Sequence, residues 1–181
     1  MPIDLASALP YLSPTASEDD TAPLYAVGSL DAPVTRVFST TLIVTYMIDE
    51  PGARVFVRAR DVDKNRRDEL HARALDNLRA HAARRKLRFE PRGPTHVAKL
   101  DGEHDASLLL LDELWDPPTR VADPDGELVA VVPSRGTLVF GGSATRGAVP
   151  ELRATLSRLN ARALSPELFV RRAGAWETLG A

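Results

Sequence analysis

Apolar and polar positions along the chain follow two periods, one near 2 residues and one near 3.6, and each change of period predicts a strand giving way to a helix. From Val37 to Ile48 the run VFSTTLIVTYMI is β-branched and aromatic, apolar on both faces, and closed by Asp49-Glu50-Pro51-Gly52. That is the pattern of a central strand and a turn. Arg54 to Arg58 alternates Val55 and Val57 with Arg54, Phe56 and Arg58, which predicts the antiparallel return strand. Residues 66–85 switch to helical spacing. Leu70, Ala74, Leu75, Leu78 and Ala82 share one face, while Arg66, Arg73 and Arg84 fall within about 20° of one another on a neighbouring edge.

Short strands at Leu87–Phe89 and His96–Leu100 flank Pro91-Arg92-Gly93-Pro94. A helix is predicted from about His104 to Trp115, with Leu108, Leu110, Leu111, Leu114 and Trp115 on an apolar face and Asp105, Asp112 and Asp116 on a solvated acidic one. Glu127–Val132 and Thr137–Phe140 form a second hairpin across Pro133-Ser134-Arg135-Gly136. A last helix near Val149–Ala163 carries the stripe Leu152, Leu156, Leu159, Ala163, and Leu168–Arg172 with Trp176–Leu179 close the chain as a hairpin around Gly174. Pairs of strands separated by single helices predict an α+β fold, a largely antiparallel sheet built from hairpins with about three helices packed on it. Residues 1–35 carry Pro2, Pro10, Pro14, Pro23 and Pro33, which forbid a long helix. They read as a proline-rich extended arm with a mobile tip at Ser17–Thr21, ahead of a single α+β domain spanning 36–181.

Composition narrows the chemistry. The 181 residues contain no cysteine, which excludes disulfides, thiolate metal sites and a Cys nucleophile. No apolar run approaches the roughly 18 residues of a membrane span, and the N-terminus has neither a basic start nor an apolar h-region. The expectation is a cytoplasmic protein with no membrane association. Net charge is −2, but unevenly spread. Residues 64–88 carry Lys64, Arg66, Arg67, Arg73, Arg79, Arg84, Arg85, Lys86 and Arg88 against Asp68, Glu69 and Asp76, whereas from 101 to 127 only Arg120 opposes a series of carboxylates. The two segments are expected to face each other or to recruit a partner of opposite sign.

The phrases Val37 to Asp49, DELHARALDNLR at 68–79, DGEHDASLLLLDELW at 101–115 and GELVAVVPSRGTLVF at 126–140 occur in an order that resembles the uncharacterised bacterial family of the Bacillus protein YtpQ. The resemblance covers roughly residues 36 to 142 and implies a shared fold, with no activity to transfer. The chain departs from the family pattern in being shorter at the front. It also has Ser134-Arg135-Gly136 where family members commonly have a polar residue followed by Asp.

Each chemical constellation has a plainer reading beside it. Asp105, Asp112 and Asp116 are spaced so that positions seven and eleven apart lie about 10 and 16 Å along a helix axis, too far to share one cation. Asp112 and Asp116, one turn apart, keep open the alternative of a divalent-metal-dependent hydrolase or nuclease. His71 and His81 are separated by about 15 Å along their helix and cannot share a metal. His96 and His104 are explained by half-buried or capping roles. Ser134 lacks the flanking glycines of a nucleophile elbow. Gly141-Gly142-Ser143 and Gly147 lead into a helix N-terminus, a weak phosphate-binding signal and a third reading. The ridge of Arg66, Arg73 and Arg84 has few aromatic neighbours for base stacking, which disfavours nucleic acid. The sequence therefore favours a protein-binding module (adaptor, chaperone-like or immunity-type) over an enzyme. It implies no cofactor, an acidic protein partner, and Arg66, Arg73 and Arg84 as the binding residues.

Overall fold

The computed structural model describes residues 5–15, 28–50, 53–116, 124–158 and 163–179. The expected tip at Ser17–Thr21, the Pro51-Gly52 turn and Leu159 lie outside the described residues. The chain divides into two compact units, Met1–His81 and Ala82–Ala181, and the division falls inside a helix.

The first unit holds a four-stranded antiparallel sheet. Strand β1 (Leu9–Pro14), inside the expected arm, pairs with one side of β3 (Leu42–Glu50). Strands β2 (Thr35–Val37) and β4 (Ala53–Phe56) pair with successive stretches of the other side. The predicted strand from Val37 is thus broken at its start. Ser39 accepts the amides of Thr41 and Leu42 through its hydroxyl at 3.2 and 3.1 Å, and this local turn outcompetes extension. Alternation along β3 buries Leu42, Val44, Tyr46 and Ile48 on one face. Helix α1 (Arg67–Arg85) contributes Leu70, Ala74 and Leu78, all buried as the periodicity predicts. Asn77 donates to the carbonyls of Ala6 and Ala8 at 2.8 and 2.9 Å and ties the strand entry to the helix.

The second unit begins with the last turn of α1. Lys86 sits at φ 57, with its amide on Ala83 O and the Leu87 amide on Ala82 O, which is a Schellman stop. Six antiparallel strands follow: β5 (Arg88–Arg92), β6 (Thr95–Lys99), β7 (Leu128–Ser134), β8 (Thr137–Gly142), β9 (Leu168–Arg172) and β10 (Ala175–Leu179), in the order β10-β9-β7-β8-β6-β5. One face is aliphatic. Val97, Val129, Val131, Val139, Leu168 and Val170 pack with Leu152, and with Val149 and Leu156, from helix α2 (Ala148–Ser157).

The other face is aromatic, and here the prediction of a third α-helix is corrected. Residues 104–115 form two 3-10 turns, Ala106–Leu110 and Asp112–Leu114, so the described residues contain two α-helices. Four consecutive leucines cannot all face inward from one α-helix. A break at Leu111 (φ −94, ψ 86) resets the chain and buries Leu108, Leu109 and Leu111 together. The carbonyl of Leu108, which an α-helix would give to the Asp112 amide, instead accepts the Leu111 amide at 3.1 Å and the indole N–H of Trp115 at 2.9 Å. Trp115 then packs edge-to-face on Phe140 and Trp176, with ring centroids 5.3 and 5.6 Å away. No helix among the described residues is long and apolar enough to cross a membrane.

Candidate functional site

The expected binding residues separate into two environments. Arg66 and Arg73 lie in the first unit beside a depression of about 190 Å³. Leu5, Ala6, Val62 and Leu70 line it with apolar groups, Arg60, Arg66 and Arg73 with guanidiniums, and Asp61, Asp63 and Glu69 with carboxylates. Arg66 and Arg73 are 62% and 52% exposed. Glu69 stands between them, accepting from Arg66 Nε and Nη2 at 3.0 and 3.2 Å and lying 3.6 Å from Arg73. The hydrogen bond with Arg66, reinforced by its charge, holds the Glu69 carboxyl below its ordinary pKa. Arg60 is drawn to Asp31 at 2.5 Å, and Asp61 accepts the Arg58 amide at 2.8 Å.

Arg84 belongs to the second unit, in the last turn of α1, exposed beside Arg85 and Lys86. No salt bridge joins these three to a carboxylate among the described residues.

The carboxylates proposed for a metal are otherwise engaged. Asp112 and Asp116 close on Arg171 of β9, whose side chain is only 5% exposed. Arg171 Nη2 lies 2.9 Å from Asp112 Oδ1, and Arg171 Nε donates to Asp116 Oδ2 at 3.1 Å. Burial works against the guanidinium's charge, but the hydrogen bonds it donates to Asp116 and Asp112 outweigh that and the pKa rises. The third member of the expected acidic face is not solvated. Asp105 is 1% exposed and accepts the amides of Leu100, Asp101 and Gly102 at 3.0, 3.3 and 2.7 Å. Asp101 in turn accepts the amides of Glu103 and His104 at 2.9 and 2.8 Å, and His104 Nδ1 lies 2.8 Å from its other oxygen. The phrase DGEHD is therefore a pair of interlocked carboxylate–amide turns. It leans on the β7–β8 turn through Ala106 N to Arg135 O at 2.9 Å. A Cβ on Gly136 would stand 2.0 Å from the Gly102 carbonyl oxygen, so glycine is required at this turn.

Glu127, also in the acidic segment, is held by Arg172 at 2.6 and 2.9 Å. The acidic stretch thus finds partners in the adjacent arginines of β9, which sequence distance concealed. Ser134 donates to or accepts from Thr137 at 2.9 Å inside its turn. In the glycine-rich approach to α2 several amides are engaged within the chain: Ser143 on Glu127 O, Ala144 on Asp125 O, Thr145 on Gly142 O and Ala148 on Thr145 O. A second depression of about 210 Å³ lies there, with His96 stacked on Phe140 at 5.6 Å. His71 accepts or donates a 2.9 Å hydrogen bond with the Tyr46 hydroxyl. Burial, with Arg36 adding to it, lowers the His71 pKa, and burial pushes Tyr46 up to about 12.

Comparison with protein-family models, with curated proteins and with solved structures gives no match.

Proposed function

We propose that this chain is a protein-binding module that recognises an acidic partner, and not an enzyme. The observation that carries the reading is the first-unit depression, where the apolar Leu5, Ala6, Val62 and Leu70 adjoin the exposed guanidiniums of Arg66 and Arg73. Exposed arginines beside apolar groups are enriched at protein interfaces. A partner carboxylate entering the rim competes with Glu69 for both arginines and gains a charge-assisted, two-point contact. The capture of Asp112 and Asp116 by Arg171 counts against the metal-dependent hydrolase or nuclease, because a cation there must first displace a nearly buried guanidinium. Residues 36–142, which resemble the YtpQ family, are proposed to share its fold.

The test is binding of a labelled oligo-glutamate peptide followed by fluorescence anisotropy. Arg66→Gln with Arg73→Gln should weaken binding in a salt-dependent way and leave the Tm nearly unchanged, since exposed pairs contribute below about 1 kcal/mol. Glu69→Gln should strengthen binding by releasing both arginines. Unchanged affinity in the double variant refutes the reading. A Tm rise with Mg²⁺, Mn²⁺ or Ca²⁺ that Asp112→Asn abolishes would favour the metal-dependent alternative.

A further inference from the structure

We propose that the second unit carries its own docking surface for an acidic polypeptide segment, formed by the last turn of α1 and the adjoining ends of β5 and β6. This rests on the reading of the chain as a binder of acidic proteins, and assigns a second surface to it. Arg84, Arg85 and Lys86 are exposed at the helix end, and Arg88 and Lys99 are exposed on the hairpin that follows. The carboxylate that reaches this group is Glu90, at 4.0 Å from Arg88. Arg84, Arg85, Lys86 and Lys99 form no salt bridge among the described residues.

Helix-end cations have an ordinary explanation, since the macrodipole favours them in the last turn. That covers Arg84 and Arg85 and fails for the rest. Lys86 occupies the left-handed stop position, φ 57, where glycine would avoid the steric cost. Arg88 and Lys99 are direct cross-strand partners, and like charges placed opposite each other destabilise a sheet. Two adjoining places thus keep a cation against local preference, which is what a surface selected for its charge looks like. Alternation puts Arg88 and Lys99 on the same side of the hairpin, away from Phe89. Phe89 packs on the opposite face against Trp115 and Phe140, at 6.1 and 5.3 Å. Among the described residues no aromatic platform for bases accompanies the cations, and the complementary occupant is a run of Asp and Glu side chains. An extended acidic segment presents carboxylates along one side about every 7 Å, on the scale of the ~5 Å separating opposed cross-strand residues.

The experiment uses the full chain carrying Arg66→Gln and Arg73→Gln, so that the first-unit depression no longer contributes. Labelled oligo-glutamate should still bind, and adding Arg85→Gln, Arg88→Gln and Lys99→Gln should weaken what remains about tenfold or more. Lys99→Glu alone should weaken binding while raising the Tm by about 2 °C, because it turns a repulsive cross-strand pair into an attractive one. Opposite signs of that kind rule out unfolding as the cause. If no peptide binds once Arg66 and Arg73 are gone, this surface is refuted and the first-unit reading stands. If the added changes leave binding intact, the surface is likewise refuted. If the native chain binds no acidic peptide, both fall. An oligouridylate of matching charge that binds as tightly overturns the assignment to polypeptide.

Discussion

The two faces of the six-stranded sheet are closed by different means. On the α2 face, aliphatic side chains meet a regular helix whose backbone hydrogen bonds are internal, so apolar complementarity among Val129, Val131, Val139 and Leu152 is enough. On the aromatic face the cover is two 3-10 turns, which leave backbone groups to be satisfied from outside. They are fastened by Asp105 on three amides, by the indole N–H groups of Trp115 and Trp176 on the carbonyls of Leu108 and Leu109, and by Arg171 on Asp112 and Asp116. A cover without a continuous helical ladder demands specific polar anchors, and these consume the residues that otherwise resemble a catalytic set.

The largest effect should come from Trp115, which is the hub of the aromatic face. Trp115→Ala should cost about 4 kcal/mol and Leu152→Ala on the opposite face about 3 kcal/mol, read by urea unfolding. A smaller loss at Trp115 than at Leu152 would show that the aromatic face is the weaker seal. Next comes Asp105→Ala, which strips three backbone donors of their acceptor and should cost about 3 kcal/mol. A loss typical of surface substitutions would break the contrast between anchored and self-sufficient covers.

Asp112→Asn sharpens the same contrast from the exposed side. Asp112 is largely in solvent and Asp116 still holds Arg171, so the change should cost under about 1 kcal/mol. A large loss would move the anchoring role from Asp116 to Asp112. The smallest effect concerns the first unit, where His71 meets buried Tyr46. Its lowered pKa means that the unfolded chain binds the proton more readily. Stability should therefore fall as the pH drops from the ordinary value of 6.5 toward the depressed folded one. His71→Gln should flatten that slope in Tm measured against pH. An unaltered slope would place the acid sensitivity elsewhere.

Local pattern determined most of the strands and both α-helices. Runs such as Glu127–Val132 and Thr137–Phe140 alternate or stay apolar over a strand's length, and residues 66–85 hold one helical face, so short-range sterics and burial point the same way. The antiparallel α+β class follows from their order, because short turns join neighbouring strands. The leucine run at 108–111 misled because helical propensity outweighs any local sign of a break, and the break exists to bury more leucines than an α-helix can. The site was legible only in part. Glu69, at positions i+3 and i−4 to Arg66 and Arg73, was a readable pairing signal in the sequence. Lys99 opposite Arg88, and Arg171 reaching Asp112 and Asp116, were not legible at all. Which distant charges meet is set by strand register and sheet order, and those depend on packing summed over the whole unit.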